Sequence, residues 1–450
     1  MGRGPGAGHP RQRPRPRVGG PRPGGRGRRG RSRRRRRRRD QRDSAQHRRR
    51  TGARPAEGPR GRPEHPLQPA EALPLTPSGA HVSLIFTDDQ KSLAQTVKRF
   101  VADRTPLPKV REVIGGDRSY DPEVWAGLAG TLGLAGLTIP EEYGGAGATH
   151  ADLSAALREL GAGLVPSPLL ACVLAAGTLV ALDDEEVNRK LLPRLAEGHV
   201  VGTLAVSEPG NRQWIPARPA TSAVRSGGGF ALSGTKVAVL NGAEAELLLV
   251  QAAGPEGTGV YLVERPADGL TVAKDDGVDP TRGTATVTFD GTAARLVAGD
   301  AAAALDHVAD LANLAIASEQ SGAMGACLAM TTEFAKIRYT FGQPIGAYQG
   351  VKHKLADMYN LWALSDAALR EATRAADEEP AKLGAAAAAA RALTSQGYLA
   401  SAKNTMLLHG GIGFTWEHDA HFFYKNAIAG NVLAGDADYQ LDRLADKLGI

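Results

Sequence analysis

Cysteine is nearly absent from this chain. Cys172 and Cys327 are the only two in 450 residues, both stand in alanine-rich apolar surroundings, and no CxxC pair occurs. That scarcity excludes a disulfide framework and argues against a thiolate metal centre, so two buried, reduced thiols are expected. Long apolar runs are missing as well. A membrane-crossing helix takes about 20 consecutive apolar residues, and no run approaches that length, so no membrane span is expected. The first residues lack the apolar centre of a secretory signal, and their scarcity of acids comes without the amphipathic pattern of a transit peptide. A cytoplasmic location is the reading that remains.

Acidic charge is scarce in the first part of the chain, and the rest carries an acidic excess. The formal net charge of +7 averages two unlike regions: residues 1–80 hold 24 Arg against 5 acids, whereas the remainder holds 31 Lys and Arg against 43 Asp and Glu. The body is therefore acidic, and nothing in it argues for a nucleic-acid partner. The first region contains Arg33 to Arg39 in one block, with Gly and Pro in most gaps. Such a segment cannot bury enough apolar surface to offset its ordering entropy and is expected to be disordered. A polybasic arm can bind phosphate backbones. Arg, Gly, Pro and Ala are also what high-GC codons encode, so residues 1–81 read as a start-site artefact, with Val82 the first genuine residue.

What is present is a clear order of elements. Thr87-Asp88-Asp89-Gln90 reads as an N-cap followed by first-turn acids, and Leu93, Val97, Phe100 and Val101 then supply an apolar face. Helical patterns continue over 124–132, 151–160, 169–182 and 187–195, which makes residues 82–201 a helical N-domain. Residues 202–300 alternate short β-rich runs with Gly, Pro and Asp breaks, at 203–206, 230–232, 237–240, 247–251, 260–263 and 285–289. That pattern predicts an antiparallel sheet or small barrel. Helix returns over 301–450, with long Ala/Leu patterns at 303–337, 350–378 and 380–408. Segregated elements of this kind predict an α+β chain rather than a parallel βαβ fold.

The most informative stretch is 334–358. Phe334, Ile337, Phe341 and Ile345 fall at helix-like spacing, with Arg338 and Gln349 placed to point outward beside a Gly342-Gln343-Pro344 break. An arginine fork followed by a loop without bulk suits a pyrophosphate or another planar anion. A solvated arginine beside an ordinary inter-helix loop has the same spacing. His409-Gly410-Gly411-Ile412-Gly413-Phe414 follows a long helix, and its glycines let a ligand or another backbone approach closely, although glycines also simply end helices.

Together these segments resemble the acyl-CoA dehydrogenase family. Arg338-x-x-Phe341-Gly342-x-x-Ile345…Gln349 is similar to that family's Arg-x-x-Phe-Gly-x-x-Ile…Gln signature. Ile139-Pro140-Glu141-Glu142-Tyr143-Gly144-Gly145 resembles its Pro-Glu-Xaa-Tyr-Gly-Gly loop, and Val206-Ser207-Glu208-Pro209-Gly210 its Thr-Glu-Pro loop. The resemblance spans about residues 86–447. It implies a helical N-domain, a middle antiparallel β-domain and a C-terminal four-helix bundle, with FAD as cofactor and an acyl-CoA thioester as substrate. It also implies flavin contact through Arg338, Phe341, Gln349, Gly410, Gly411 and Ser207, with the glycine pair reaching the FAD of a neighbouring subunit. In the family a carboxylate removes the α-proton while the β-hydrogen leaves as hydride, which demands a poised base and a carbonyl held by two hydrogen bonds. An electron-transfer flavoprotein-like acceptor is implied as a further partner.

The chain also departs from the family pattern. Ala434, in Leu433-Ala434-Gly435-Asp436, stands where the catalytic Glu is expected. The alternative base position on the first helix of the bundle holds Ala312, followed by Asn313 where an arginine is common. Asp436 and Glu319 are the candidate replacements, with a turn residue and a helix-packing carboxylate as their plainer roles. Asn211-Arg212-Gln213-Trp214 replaces the Gly-Ser-Asp that should follow the Thr-Glu-Pro loop. Gly234-Thr235-Lys236 matches, but Ala238-Val239-Leu240 replaces the Trp-Ile-Thr that covers the flavin, and Leu407 replaces a glutamine before the glycine pair. Gly410–Asp419 resembles a bacterial branch that forms α2β2 tetramers, often acting on steroid-like CoA esters, in which one chain lacks a full active site. The expected function is α,β-dehydrogenation of an acyl-CoA, as a homotetramer or an α2β2 heterotetramer. The alternative is a catalytically incomplete partner subunit.

Overall fold

The computed structural model describes residues 86–450. The arginine-rich segment, with its expected disorder and the reading of Val82 as first residue, lies outside the described residues.

Helices come first. α1 (Asp88–Arg104) starts where expected: Thr87 Oγ1 accepts from the Gln90 amide at 3.2 Å, and Gln90 Oε1 accepts from the Thr87 amide at 3.0 Å. This reciprocal capping box satisfies two donors that a helix start leaves orphaned. α2 (Leu107–Ile114), α3 (Pro122–Ala126), α4 (His150–Ala162), α5 (Leu169–Leu182) and α6 (Glu185–Ala196) follow. The pattern over 124–132 is α3 running into a single π turn, Gly127–Thr131. Nine of the 14 residues of α5 are buried, so this apolar segment is an internal helix, packed against β1 and α7.

The middle region holds β1 (Gly202–Ala205), β2 (Ser222–Ser226), β3 (Gly229–Leu240), β4 (Leu247–Gly254), β5 (Gly257–Glu264), β6 (Leu270–Lys274) and β7 (Thr284–Ala298). Pairing runs β4–β2–β3–β7–β5 and returns from β5 to β4, closing a small barrel, with β1 added on β4 and β6 on β7. All pairs are antiparallel except β1 with β4 and a single step between β2 and β4. Phe230, Leu232, Leu248, Val250, Tyr261, Val287 and Phe289 fill its centre. The runs at 230–232 and 237–240 are one strand, β3, interrupted by register shifts at Leu232/Ser233 and Lys236/Val239. Sequence reading misses β2 and β6 because both are short and largely exposed; pairing with β3, β4 and β7, not an apolar run, makes them strands.

The chain then forms α7 (Ala302–Ile337), a two-rung hairpin of β8 (Tyr339–Thr340) and β9 (Gln343–Pro344), α8 (Gln349–Glu378), α9 (Pro380–His409), α10 (Ala420–Val432) and α11 (Ala437–Leu448). α7 to α10 make the bundle, and α11 lies along α9. α4 crosses α7 in backbone contact, since a Cβ on Gly161 would meet the Glu319 carbonyl and one on Gly322 the Arg158 carbonyl. The helix-like spacing of Phe334, Ile337, Phe341 and Ile345 does not continue as helix. α7 stops at Ile337, and Phe341 and Gly342 turn the hairpin at φ 49° and 83°, the paired left-handed conformation of a tight β-turn.

Both cysteines are buried and free, and burial pushes both thiols up to about 12. No helix among the described residues is long and apolar enough to cross a membrane.

Candidate active site

Between the barrel and the bundle lies a cavity of about 400 Å³. Ser207, Trp214 and Ala238 line it from the β side, and Leu433, Ala434 and Asp436 line it from the loop joining α10 to α11. The second bulge of β3 shapes the β side. Lys236 pairs with Val287 and Val239 with Ala285, so Val237 and Ala238 are pushed out of the ladder towards the cavity. The Val237 amide donates instead to the Ser207 carbonyl at 3.0 Å. Ala238 takes φ 51° and Ala434 φ 57°, left-handed conformations that a non-glycine residue holds only when its surroundings impose them. Both are positions where the sequence departs from the family pattern.

Beneath Ser207 sits an ion pair closed to solvent. Lys236 Nζ donates to Glu208 Oε1 at 2.8 Å and to the Val206 carbonyl at 3.1 Å, with Lys236 fully buried. Glu208 also accepts from the Ala220 and Thr221 amides at 2.6 and 2.8 Å. Burial opposes its charge, but Lys236 and the two amides outweigh that and hold its carboxyl down at about 2. A buried charge survives only when paired and hydrogen-bonded in this way.

The opposite wall is held by side chains from three helices. Arg391, fully buried on α9, donates through Nη2 to the Gly430 and Leu433 carbonyls at 2.6 and 2.7 Å and through Nη1 to Gln320 Oε1 at 3.1 Å. A guanidinium at the C-terminal end of α10 satisfies its free carbonyls and complements the helix dipole. Burial, with Arg282 nearby, pushes this guanidinium below the usual arginine range. Gln440 of α11 donates to the Ala434 carbonyl at 2.8 Å and accepts from Asn313 of α7 at 2.9 Å. Ala312 beside it is fully buried. Asn313 therefore supports the loop, and the neighbouring position offers only a methyl group.

The two candidate carboxylates stand apart. Asp436 lines the cavity and caps α11, its Oδ1 accepting from the Tyr439 amide at 2.8 Å, with Arg212 Nη2 3.7 Å away. Glu319 lines a smaller neighbouring void and is bound by Arg282, whose Nη2 donates to Oε2 at 2.7 Å. Arg282 borders both spaces. Asp279, also on the cavity wall, accepts from Thr281 and from Asn426 Nδ2 at 2.8 Å.

The remaining predicted residues form a second group at the end of the bundle. Arg338 closes α7, Phe341 tips the hairpin with 98% of its surface exposed, and Gln349 begins α8. Gly410 and Gly411 follow α9, where Phe334 stacks on His409 with ring centroids 4.2 Å apart and so joins the two segments. Gly410 adopts φ 65° and ψ −144°, and neither glycine has a neighbour within 4 Å of a Cβ position. Ser207 and Asp436 thus share the cavity, while Arg338, Phe341, Gln349, Gly410 and Gly411 do not line it. Sequence reading misses Arg391, Gln440 and Arg282. Gln440 and Arg391 lie in ordinary helical runs, so no local signal marks them.

Family models for the acyl-CoA dehydrogenase N-terminal and C-terminal domains match residues 87–199 and 304–449. The chain is 32% identical to the acyl-CoA dehydrogenase IpdE2 of Mycobacterium tuberculosis, over 76% of this chain and 91% of that protein. The chain belongs to the acyl-CoA dehydrogenase family. Among solved structures it is similar to a variant of the Tcur3481–Tcur3483 steroid ACAD (TM-score 0.73, 32% identity, 80% of this chain and 98% of that one). It is similar also to the ChsE4–ChsE5 complex of M. tuberculosis (TM-score 0.75, 27% identity, 82% and 99%). Acyl-CoA dehydrogenases are FAD-dependent oxidoreductases, and the donor set here suits such a group. Small residues (Ala238, Gly277, Ala429, Ala434) leave room in the cavity, and the open Gly410–Gly411 backbone and Arg338 match an anionic phosphate chain.

Proposed function

We propose that this chain carries out α,β-dehydrogenation of an acyl-CoA thioester, with its reacting centre in the cavity between barrel and bundle. The observation that carries the reading is that Ser207 and the 433–436 loop, more than 220 residues apart in sequence, line one space. Ser207 would contact the flavin ring, and Arg338, Phe341, Gln349, Gly410 and Gly411 would contact the FAD of a neighbouring subunit. FAD, when bound, supplies the two-electron acceptor, with an electron-transfer flavoprotein-like protein as the next one. Asp436 would serve as the base: it lines the cavity, its Oδ1 caps α11, and its Oδ2 accepts no hydrogen bond among the described residues. Glu319 is the poorer candidate because it lies outside this cavity and Arg282 Nη2 already holds its Oε2 at 2.7 Å.

A second reading follows from the two methyl groups, Ala434 and Ala312, at the positions where the family places its base. In that reading the chain is the incomplete member of an α2β2 assembly, lending Arg338 and the glycine pair to a sister chain. An absorbance spectrum of the full chain, alone and co-expressed with a homologous partner, separates the two. Flavin in the lone chain, bleached by acyl-CoA, supports the self-sufficient enzyme; a colourless lone chain that gains flavin and turnover with the partner supports the half-site. With turnover in hand, Asp436→Asn should lower it about 100-fold or more without loss of flavin. Unchanged turnover removes Asp436 as the base.

A further inference from the structure

Among the described residues, Trp214 is the single aromatic side chain on the cavity wall. It comes from the Asn211–Trp214 segment that replaces the family's Gly-Ser-Asp, and its indole N–H has no partner among the described residues. Its backbone is fixed from several sides. The Asn211 amide donates to the Glu208 carbonyl at 3.2 Å, and Asn211 Oδ1 accepts from the Gln213 amide at 2.9 Å. Gln251 Nε2 donates to the Pro216 carbonyl at 2.9 Å, and Ser207 Oγ to the Trp214 carbonyl at 3.4 Å. The Glu208 carboxylate closes the loop by taking the Ala220 and Thr221 amides. The buried Glu208–Lys236 pair is therefore a clasp on residues 209–219, and the side chain that this clasp delivers to the cavity is an indole.

Several of the other lining residues are small. Ala238, Gly277, Ala429, Ala434 and Gly435 present little bulk. Ala238 occupies the first position of the family's Trp-Ile-Thr segment, so an indole lost from β3 has a counterpart on the neighbouring loop. We propose that Trp214 is the ligand-facing aromatic wall of this cavity and stacks on a planar conjugated ring, supplied by a flavin isoalloxazine or by a fused-ring acyl group. Rigid, half-buried aromatic faces favour such rings over flexible chains, because stacking adds to area burial and little conformational freedom is lost. The inference rests on the dehydrogenase reading for the location of the site.

Intrinsic fluorescence of the full chain tests it, with FAD, the CoA ester of a fused-ring carboxylic acid and octanoyl-CoA as separate probes. The expected result is saturable quenching by a planar probe and none by octanoyl-CoA; which planar probe quenches identifies the source of the ring. Trp214→Phe should keep the affinity for that probe within about 3-fold while removing the Trp214 share of the quench, leaving only that of Trp125, Trp362 and Trp416. Trp214→Leu, which keeps apolar packing against the two neighbouring core clusters, should weaken it about 3- to 10-fold and weaken octanoyl-CoA binding less than that. A quench undiminished in Trp214→Phe, or wild-type affinity in Trp214→Leu, overturns the proposal. Binding of octanoyl-CoA alone also overturns it but leaves the dehydrogenase reading standing, whereas binding of none of the three sinks both.

Discussion

The cavity and the bundle end were both marked as flavin-contacting segments, yet they are built in opposite ways. Around the cavity, charge is neutralised within the chain: Lys236 on Glu208, Arg282 on Glu319, and Arg391 on helix carbonyls. The bundle end instead leaves Ile337, Tyr339, Phe341, Ile412, Phe414 and Trp416 exposed. Apolar side chains gathered like this on one end of a molecule mark a surface used against something else. One region is thus closed by pairs within the chain, and the other presents apolar side chains at its surface. Residues of one cofactor motif set can differ in this way because the hairpin and the glycine turn are held by local backbone geometry, whereas the cavity is held by long-range pairs.

Breaking the cavity side should therefore cost far more stability than altering the bundle end. Lys236→Met strands a buried carboxylate and should lower stability by about 3–5 kcal/mol, read by denaturant unfolding, with Glu208→Gln added to the same chain recovering part of the loss. The same pair predicts acid lability. The Glu208 carboxyl is depressed in the fold to about 2, so its contribution is present above the ordinary carboxylate range near 4.5 and is lost as pH falls through 2. Stability in Glu208→Gln should depend less on pH across that window. Gly410→Ala comes next: at φ 65° and ψ −144° an alanine is strained by about 1–3 kcal/mol, even though open space surrounds it. Phe341→Ser should change monomer stability by less than about 0.5 kcal/mol. A large destabilisation by Phe341→Ser, or none by Lys236→Met, would erase the contrast between the two regions.

Much of the fold was legible in advance. Thr87 and Gln90 form a capping box because four consecutive residues suffice for one, and α5 follows the 169–182 pattern because an apolar helix of that length has to be buried. The helix end at 337 was legible from the Gly342-Gln343-Pro344 break even though the 3–4 spacing of Phe334, Ile337 and Phe341 runs past it; the strand pairing of the hairpin was not. Gly342 and Pro344 overrode that period: one allows the left-handed turn, and the other cannot continue a helix. β2 and β6 had no pattern to read.

By itself the sequence determined the order helices, barrel strands, bundle, together with the motifs that place the chain in its family, because those signals are written over spans of a few turns or strands. Only the tertiary structure decided that Ser207 and Asp436 share a cavity from which Arg338 and Gly410 are absent, that Glu319 is bound to Arg282, and that Arg391 and Gln440 support the loop carrying Ala434. Those facts depend on residues far apart in the chain: more than 220 positions separate Ser207 from Asp436, and 127 separate Asn313 from Gln440. No local period encodes such a meeting; packing the helices against the barrel brings it about.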